Sequence, residues 1–259
     1  MTPFRHPRRQ LISMDLILSD IHSNLQAMRA VLRYARRRVF DRFVLLGDLV
    51  GYGANPNETL ELIRTLEPQV GVRGNHDRAC VEPGAELGFS LPARTAVSWT
   101  RSKLSPDHAW YLEQLPQGPL DVGGDYQIAH GSPLDEDAYL LHPREAINAF
   151  DAFSQDLCFY GHTHLPCGYE LDEALERISI LAFEPGVWFQ LRPGCRYLVN
   201  PGSVGQPRDR DPRLSFMTYD PASRRLKLHR LDYDHAGAAR AIRAAGLHPN
   251  LAERLQHGI

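Results

Sequence analysis

The chain has 259 residues, 43% hydrophobic and 23% charged, enough apolar material for a real core in one large α/β domain or two small ones. Its formal charge of −2 and pI of about 6.6 exclude the basic surplus that draws a protein non-specifically to long nucleic acid. No stretch approaches the ~20 apolar residues of a membrane span, and Cys80, Cys158, Cys167 and Cys195 form no C-x-x-C pair of the kind a zinc ribbon uses.

The basic opening, residues 1–13, is followed by an apolar run too short for a signal peptide and broken at Asp15 and Asp20. It reads as a flexible tail ahead of a single domain, residues 14–259, in a cytoplasmic protein. Residues 15–20 read as a strand and 24–38 as a helix, with Leu25, Met28, Val31, Leu32 and Ala35 at helical spacing. The loop between them holds Asp20 and His22. A second unit follows: strand 43–46, a loop with Asp48 and Gly51-Tyr52-Gly53, and a helix at Pro56 that Asn55 and Glu58 are placed to cap. A third strand, 69–72, runs into Gly74-Asn75-His76-Asp77.

Residues 92–104 and 105–115 read as helices, with Trp99, Trp110 and Tyr111 as packing residues and His108 outside any ligand spacing. Strands are expected at 119–122 and 126–129, the second ending in His130-Gly131. A helix at 143–153 precedes strand 157–160 and Gly161-His162-Thr163-His164. Residues 187–191, 196–199, 214–219 and 226–231 read as strands, 235–245 as a closing helix, and 171–186 has no clear pattern.

Polar groups therefore recur just past apolar runs, where ligands bind in open α/β sheets. Taken alone, His162 and His164 can be two surface residues on one strand face. Together with Asp20, His22, Asp48, Asn75, His76 and His130 they make a dinuclear inventory: oxygen and imidazole donors without thiolate, with a carboxylate available to bridge.

Five segments, Asp20-x-His22, Gly47-Asp48, Gly74-Asn75-His76-Asp77, His130-Gly131 and Gly161-His162-Thr163-His164, resemble in order the signature of the calcineurin-like metallophosphoesterases. The resemblance implies a four-layer α-β-β-α sandwich of two mixed sheets. It implies that Asp20, His22, Asp48 and His164 hold one divalent cation and Asp48, Asn75, His130 and His162 another, most readily Mn²⁺, with Fe or Zn as the other candidates. A hydroxide shared by the cations would attack phosphorus in line, His76 would serve the leaving oxygen, and Asp77 would orient His76.

Asn200-Pro201-Gly202-Ser203-Val204-Gly205-Gln206-Pro207-Arg208 is similar to a segment of the small bacterial and archaeal phosphodiesterase branch. Gly202, Ser203 and Gly205 are expected to offer backbone N–H groups to an anion, Arg208 a guanidinium fork, and Asn24 and Tyr52 further substrate contacts. The expected activity is hydrolysis of a phosphodiester or a nucleotide-type phosphoanhydride in a small phosphorylated substrate. The alternatives are a phosphomonoesterase or protein phosphatase, and a non-catalytic metal-stabilised binding scaffold.

Overall fold

The computed structural model describes residues 14–259. In β1 (Asp15–Leu18) Leu16 and Leu18 face one side and Ile17 the other, and the first two join a different core cluster from the third. That period of two recurs through the chain and gives each sheet two apolar faces. The order continues with α1 (Leu25–Ala35), β2 (Arg42–Leu45), α2 (Pro56–Arg64), β3 (Val70–Gly71), α3 (Asn75–Val81), α4 (Leu91–Lys103) and α5 (Pro106–Glu113). The second half holds β4 (Leu120–Val122), β5 (Tyr126–Ile128), α6 (Pro143–Phe150), β6 (Leu157–Phe159), β7 (Pro166–Asp172), β8 (Arg177–Leu181), β9 (Trp188–Gln190) and β10 (Cys195–Pro201). It closes with β11 (Leu214–Asp220), β12 (Arg225–Leu231), α7 (His235–Ala244), α8 (Pro249–Glu253) and a 3₁₀ turn, Arg254–Gln256.

Two six-stranded mixed sheets result, in the orders β3-β2-β1-β11-β12-β9 and β4-β5-β6-β10-β7-β8. Strands β1, β2 and β3 run parallel in the first, and β5, β6 and β10 in the second. The core between the sheets contains Ile17, Val44, Tyr126, Phe159, Tyr197 and Met217. Helices α1 and α2 cover the outer face of the first sheet, and α6 packs on the outer face of the second through Ala146, Ala149 and Phe150. This is the expected four-layer sandwich. Among the described residues no helix is long and apolar enough to cross a membrane.

Several local expectations need correction. Asn55 makes no side-chain cap on α2, its amide lying 3.5 Å from Glu58 instead, although Pro56 opens the helix as expected. Trp99 packs against the α7–α8 cluster, but Trp110 is 60% exposed on α5. Residues 166–181, largely unassigned from sequence, form the β7–β8 hairpin, whose second strand is half-exposed and so lacks clean alternation. The chain also continues past α7 into α8 and the 3₁₀ turn, which sequence reading did not separate.

Candidate metal centre

The carboxyl ends of β1, β2 and β3 meet those of β5 and β6 at one edge of the sandwich, because both sets of parallel strands end there. Asp20 and His22 follow β1, Asp48 follows β2, Asn75 and His76 open α3 after β3, His130 follows β5, and His162 and His164 follow β6. The backbone at this edge is left-handed at Asp20, His22, Asp48, His162 and His164, with φ between 50° and 67°. Non-glycine residues hold that conformation at a cost of ~1–2 kcal/mol each, which the surrounding packing must offset. Two glycines allow the close approach: a Cβ on Gly74 would lie 2.1 Å from Asp48 Oδ1, and one on Gly161 would lie 2.0 Å from Ser19 Oγ.

Donor atoms gather in two buried groups, Asp20, His22, Asp48 and His164, and Asp48, His130 and His162, each within 4.8 Å. Asp48 belongs to both, with Oδ2 3.5 Å from His22 Nε2 and 3.5 Å from His130 Nε2. Asn75 Oδ1 lies 3.0 Å from His130 Nε2, beside the second group.

The tautomers test whether cations fit. Nδ1 of His22, His164 and His130 faces the backbone carbonyls of Val50, Gln206 and Leu46 at 3.1, 2.6 and 2.8 Å. A carbonyl only accepts, so Nδ1 carries the hydrogen in all three rings; Nε2 of His22 and His164 presents a lone pair to the centre, while His130, beside the Asp48 carboxylate, holds a second proton on Nε2 that a cation would displace. His22 Nε2 and His164 Nε2 lie 3.1 Å apart. Burial pulls the pKa of both rings down, so two lone pairs face each other with no proton to share. His162 reverses the pattern, its Nε2 facing the Asp137 carbonyl at 3.1 Å and leaving Nδ1 as the donor. A divalent cation satisfies this arrangement of oxygen and imidazole donors.

The charges are arranged around Asp48. Burial opposes its ionisation, but His130, His76 and His22 outweigh burial and hold its carboxyl well below the usual range. His130, opposed by burial and favoured by Asp48, is pushed up to about 10. Asp20, opposed by burial and favoured by His164, is also lowered.

Asp77 does not orient His76. Its Oδ1 accepts from the N–H groups of Leu49 and Val50 at 2.8 and 3.1 Å, and its Oδ2 from Gly74 N–H at 3.0 Å. It ties α3 to the Asp48 loop, and burial together with the Asp48 charge pushes its pKa up to about 7. His76 is held by packing instead, with ring centroids 4.3 Å from Tyr52 and 4.8 Å from Phe89. Its Nδ1 is buried without a partner.

The expected phosphate cradle is likewise a brace. Gly202 N–H donates to Asn200 Oδ1 and Gly205 N–H to the Asp20 carbonyl. Ser203 Oγ donates to the Asp20 carbonyl and accepts from Gln206 N–H. Asn24 caps α1 through Ala27 N–H and donates to the Gly205 carbonyl. These four residues are buried and fasten the Asp20 loop to the β10–β11 connection, with the Gly202 and Gly205 N–H groups taken within the chain. Tyr52 and Arg208 do line the cavity over the centre, about 420 Å³, with His76, Phe89 and Tyr139. Tyr139, stacked on His162 at 4.0 Å, and the Asp137 carbonyl lie in a loop without periodicity and carried no sequence signal. Asn200 did carry one: it heads the quoted segment, and its amide holds the Gly161 carbonyl at 2.7 Å.

Comparisons with known proteins agree with this geometry. An uncharacterized protein of Methanocaldococcus jannaschii is 34% identical over 246 residues, covering 94% of this chain and 97% of the relative. A metallophosphoesterase from Sphaerobacter thermophilus is 42% identical with a TM-score of 0.85, covering 95% of this chain and 99% of that one. A hypothetical protein from Pyrococcus horikoshii, 19% identical over 95% of this chain and 99% of its own, shares the fold at a TM-score of 0.76. The calcineurin-like phosphoesterase superfamily domain matches residues 14–224, most of the chain and every residue of the centre, and the protein belongs to that superfamily.

Proposed function

We propose that this chain hydrolyses phosphodiester or nucleotide-type phosphoanhydride bonds with two divalent cations, Mn²⁺ first among them and Fe or Zn as the other candidates. The observation that carries the reading is the pair of donor groups sharing Asp48, with the lone pairs of His22 and His164 facing each other. Asp20, His22, Asp48 and His164 would hold one cation, and Asp48, Asn75, His130 and His162 the other. When bound, such a pair supplies a water that ionises near neutral pH and positive charge for the phosphoryl oxygens.

The remaining work falls to the chain. Among the described residues His76 Nδ1 has no acceptor, so the ring keeps its hydrogen on Nε2, and from the cavity wall that N–H would donate to the leaving oxygen. Arg208, on the cavity wall, offers its planar fork to phosphoryl oxygens of the substrate. The aromatic walls, Tyr52, Phe89 and Tyr139, suit a base or a nucleoside, and about 420 Å³ falls in the range of small-ligand sites. The near-neutral charge argues against a long nucleic acid substrate. The four cysteines are free thiols, in keeping with a reducing compartment and a cytoplasmic place for the protein.

The test is hydrolysis of bis-p-nitrophenyl phosphate by the purified protein with Mn²⁺. His76→Ala should keep its bound metal and lose about 10²–10⁴ in kcat. A wild-type protein inactive on mono-, di- and anhydride phosphates with Mn²⁺, Fe²⁺, Zn²⁺ and Co²⁺ alike would overturn the hydrolase reading.

A further inference from the structure

A second cavity, about 760 Å³, adjoins the one over the metal centre and shares Tyr52 and Ser90 with it. Its far wall comes from the end of the chain: Arg243 on α7, Asn250 on α8, then Arg254 and His257. The superfamily match stops at residue 224, so this wall lies outside it.

Where the cavities join, two guanidiniums converge on one neutral oxygen. Gln206 Oε1 accepts from Arg208 Nη2 at 2.9 Å and Nε at 3.3 Å, and from Arg254 Nη1 at 3.1 Å. Arg254 Nε is taken by the Ile259 carbonyl. Among the described residues no Asp or Glu side chain pairs with either arginine, although most other arginines facing a carboxylate are paired. Arg254 Nη2 has no partner among the described residues. Burial and the neighbouring Arg208 charge both act against the Arg254 cation, an opposition that a bound anion between the two forks would relieve. Arg208 also sits over the Tyr52 ring at 5.8 Å, at the boundary itself.

We infer that Arg208 and Arg254 clamp a second phosphoryl group of the substrate, which is therefore a phosphoanhydride whose leaving part lies in the α8 groove. The inference rests on the hydrolase reading above and narrows it. One phosphoryl group occupies the metal centre, and the next meets two forks whose geometry matches phosphate oxygens. A single-phosphorus diester leaves Arg254 without its anion.

The experiment uses the full chain loaded with Mn²⁺ and compares ATP and tripolyphosphate with bis-p-nitrophenyl phosphate. In Arg254→Ala the ratio of anhydride to diester kcat/KM should fall about 10–100-fold, as expected for lost charged hydrogen bonds. Arg254→Lys should recover only part of it, and Arg240→Ala, an exposed α7 guanidinium 3.8 Å from Asp234, should leave the ratio as in wild type. If ATP is cleaved and tripolyphosphate is not, the groove takes a nucleotide; activity on both points to the polyphosphate alone as the recognised part. A wild-type protein that cleaves the diester but neither anhydride, or an unchanged ratio in Arg254→Ala, overturns the clamp and leaves the hydrolase reading standing. Inactivity on all three substrates and on phosphomonoesters, with Mn²⁺, Fe²⁺, Zn²⁺ and Co²⁺ alike, removes the hydrolase reading. Calorimetry of the metal-free protein then decides the clamp alone: wild type should prefer tripolyphosphate to phosphate, and an equal preference in Arg254→Ala overturns it.

Discussion

Asp15 and Asp20 stand at opposite ends of one short strand, β1, and both are fully buried. At the first end the chain supplies its own counter-charge. Asp15 accepts from Arg42 Nε at 2.9 and 3.0 Å and from the Tyr126 hydroxyl at 2.7 Å, and Arg42 reaches on to Asp125. At the other end Asp20 receives Ser19 Oγ–H at 2.6 Å and His162 N–H at 3.0 Å, but no guanidinium. The ring nearest it, His164 at 3.3 Å, turns its Nδ1 hydrogen away to the Gln206 carbonyl. Burying a carboxylate is costly in both places, so burial does not mark the functional end. The mark is the kind of counter-charge: Asp15 has a permanent guanidinium, whereas Asp20 and Asp48 face only imidazoles, whose Nε2 or Nδ1 atoms are placed where cations could be held.

The strongest test of that contrast is Asp48→Ala, which removes the residue common to both donor groups. Activity should fall by about 10³-fold or more, with loss of at least one bound metal by elemental analysis. An active Asp48→Ala protein with two metals bound would break the contrast. Next in size is Asp15→Asn, which removes the buried carboxylate that Arg42 and Tyr126 share and should lower stability in urea by about 3 kcal/mol. Its metal content should match wild type, since nothing at that end waits for an ion. Somewhat smaller is the response to Mn²⁺ itself. At a hundredfold excess over Kd, one site adds ~2.7 kcal/mol to wild-type stability, which EDTA reverses. Asp15→Asn should show the same increment from its lower baseline, and Asp48→Ala most of its loss.

The functional end was readable because each of its residues directly follows an apolar run, and those runs became parallel strands ending at one edge. Asp20, Asp48, Asn75, His130, His162 and His164 were all found in that way. Residues whose partners are distant backbone groups were not readable. Asp77 sits beside His76 in sequence, yet its oxygens are taken by N–H groups at 49, 50 and 74, and adjacency misled. Gly202 and Gly205 look like a phosphate loop, but their N–H groups are spent on Asn200 and Asp20. The Asp15 pair escaped notice as well, because Arg42 and Tyr126 lie 27 and 111 residues away and neither stands in a motif. The sandwich itself was implied by the resemblance and supported by the strand-loop-helix order with a β-rich second half, whereas the half-exposed β8 gave no pattern to read.

The comparison is sharpened last by a titrating group at neither end. His229 on β12 packs against the middle of the first sheet, stacked on Phe216 at 4.9 Å and 2.9 Å from Thr218 Oγ1, with the Tyr34 hydroxyl at 3.3 Å. Burial, then the charges of Lys227 and Arg38, push its pKa down to about 4, against about 6.5 in an unfolded chain. Between those values the unfolded state binds a proton that the folded state refuses. Its contribution is therefore fully present above pH ~6.5 and is lost as the pH falls towards 4, by at most ~3 kcal/mol and by about 1–2 kcal/mol after allowing for its partial exposure. His229→Phe keeps the stack and removes the titration. In metal-free buffer its urea midpoint should fall less than that of wild type between pH 7.5 and 5. Because the two proteins share every carboxylate and site histidine, the difference between their curves belongs to His229 alone. Identical curves would assign the acid sensitivity to the two ends of β1, and the contrast between a self-neutralised and a cation-dependent end would then have to be read from pH as well as from metal.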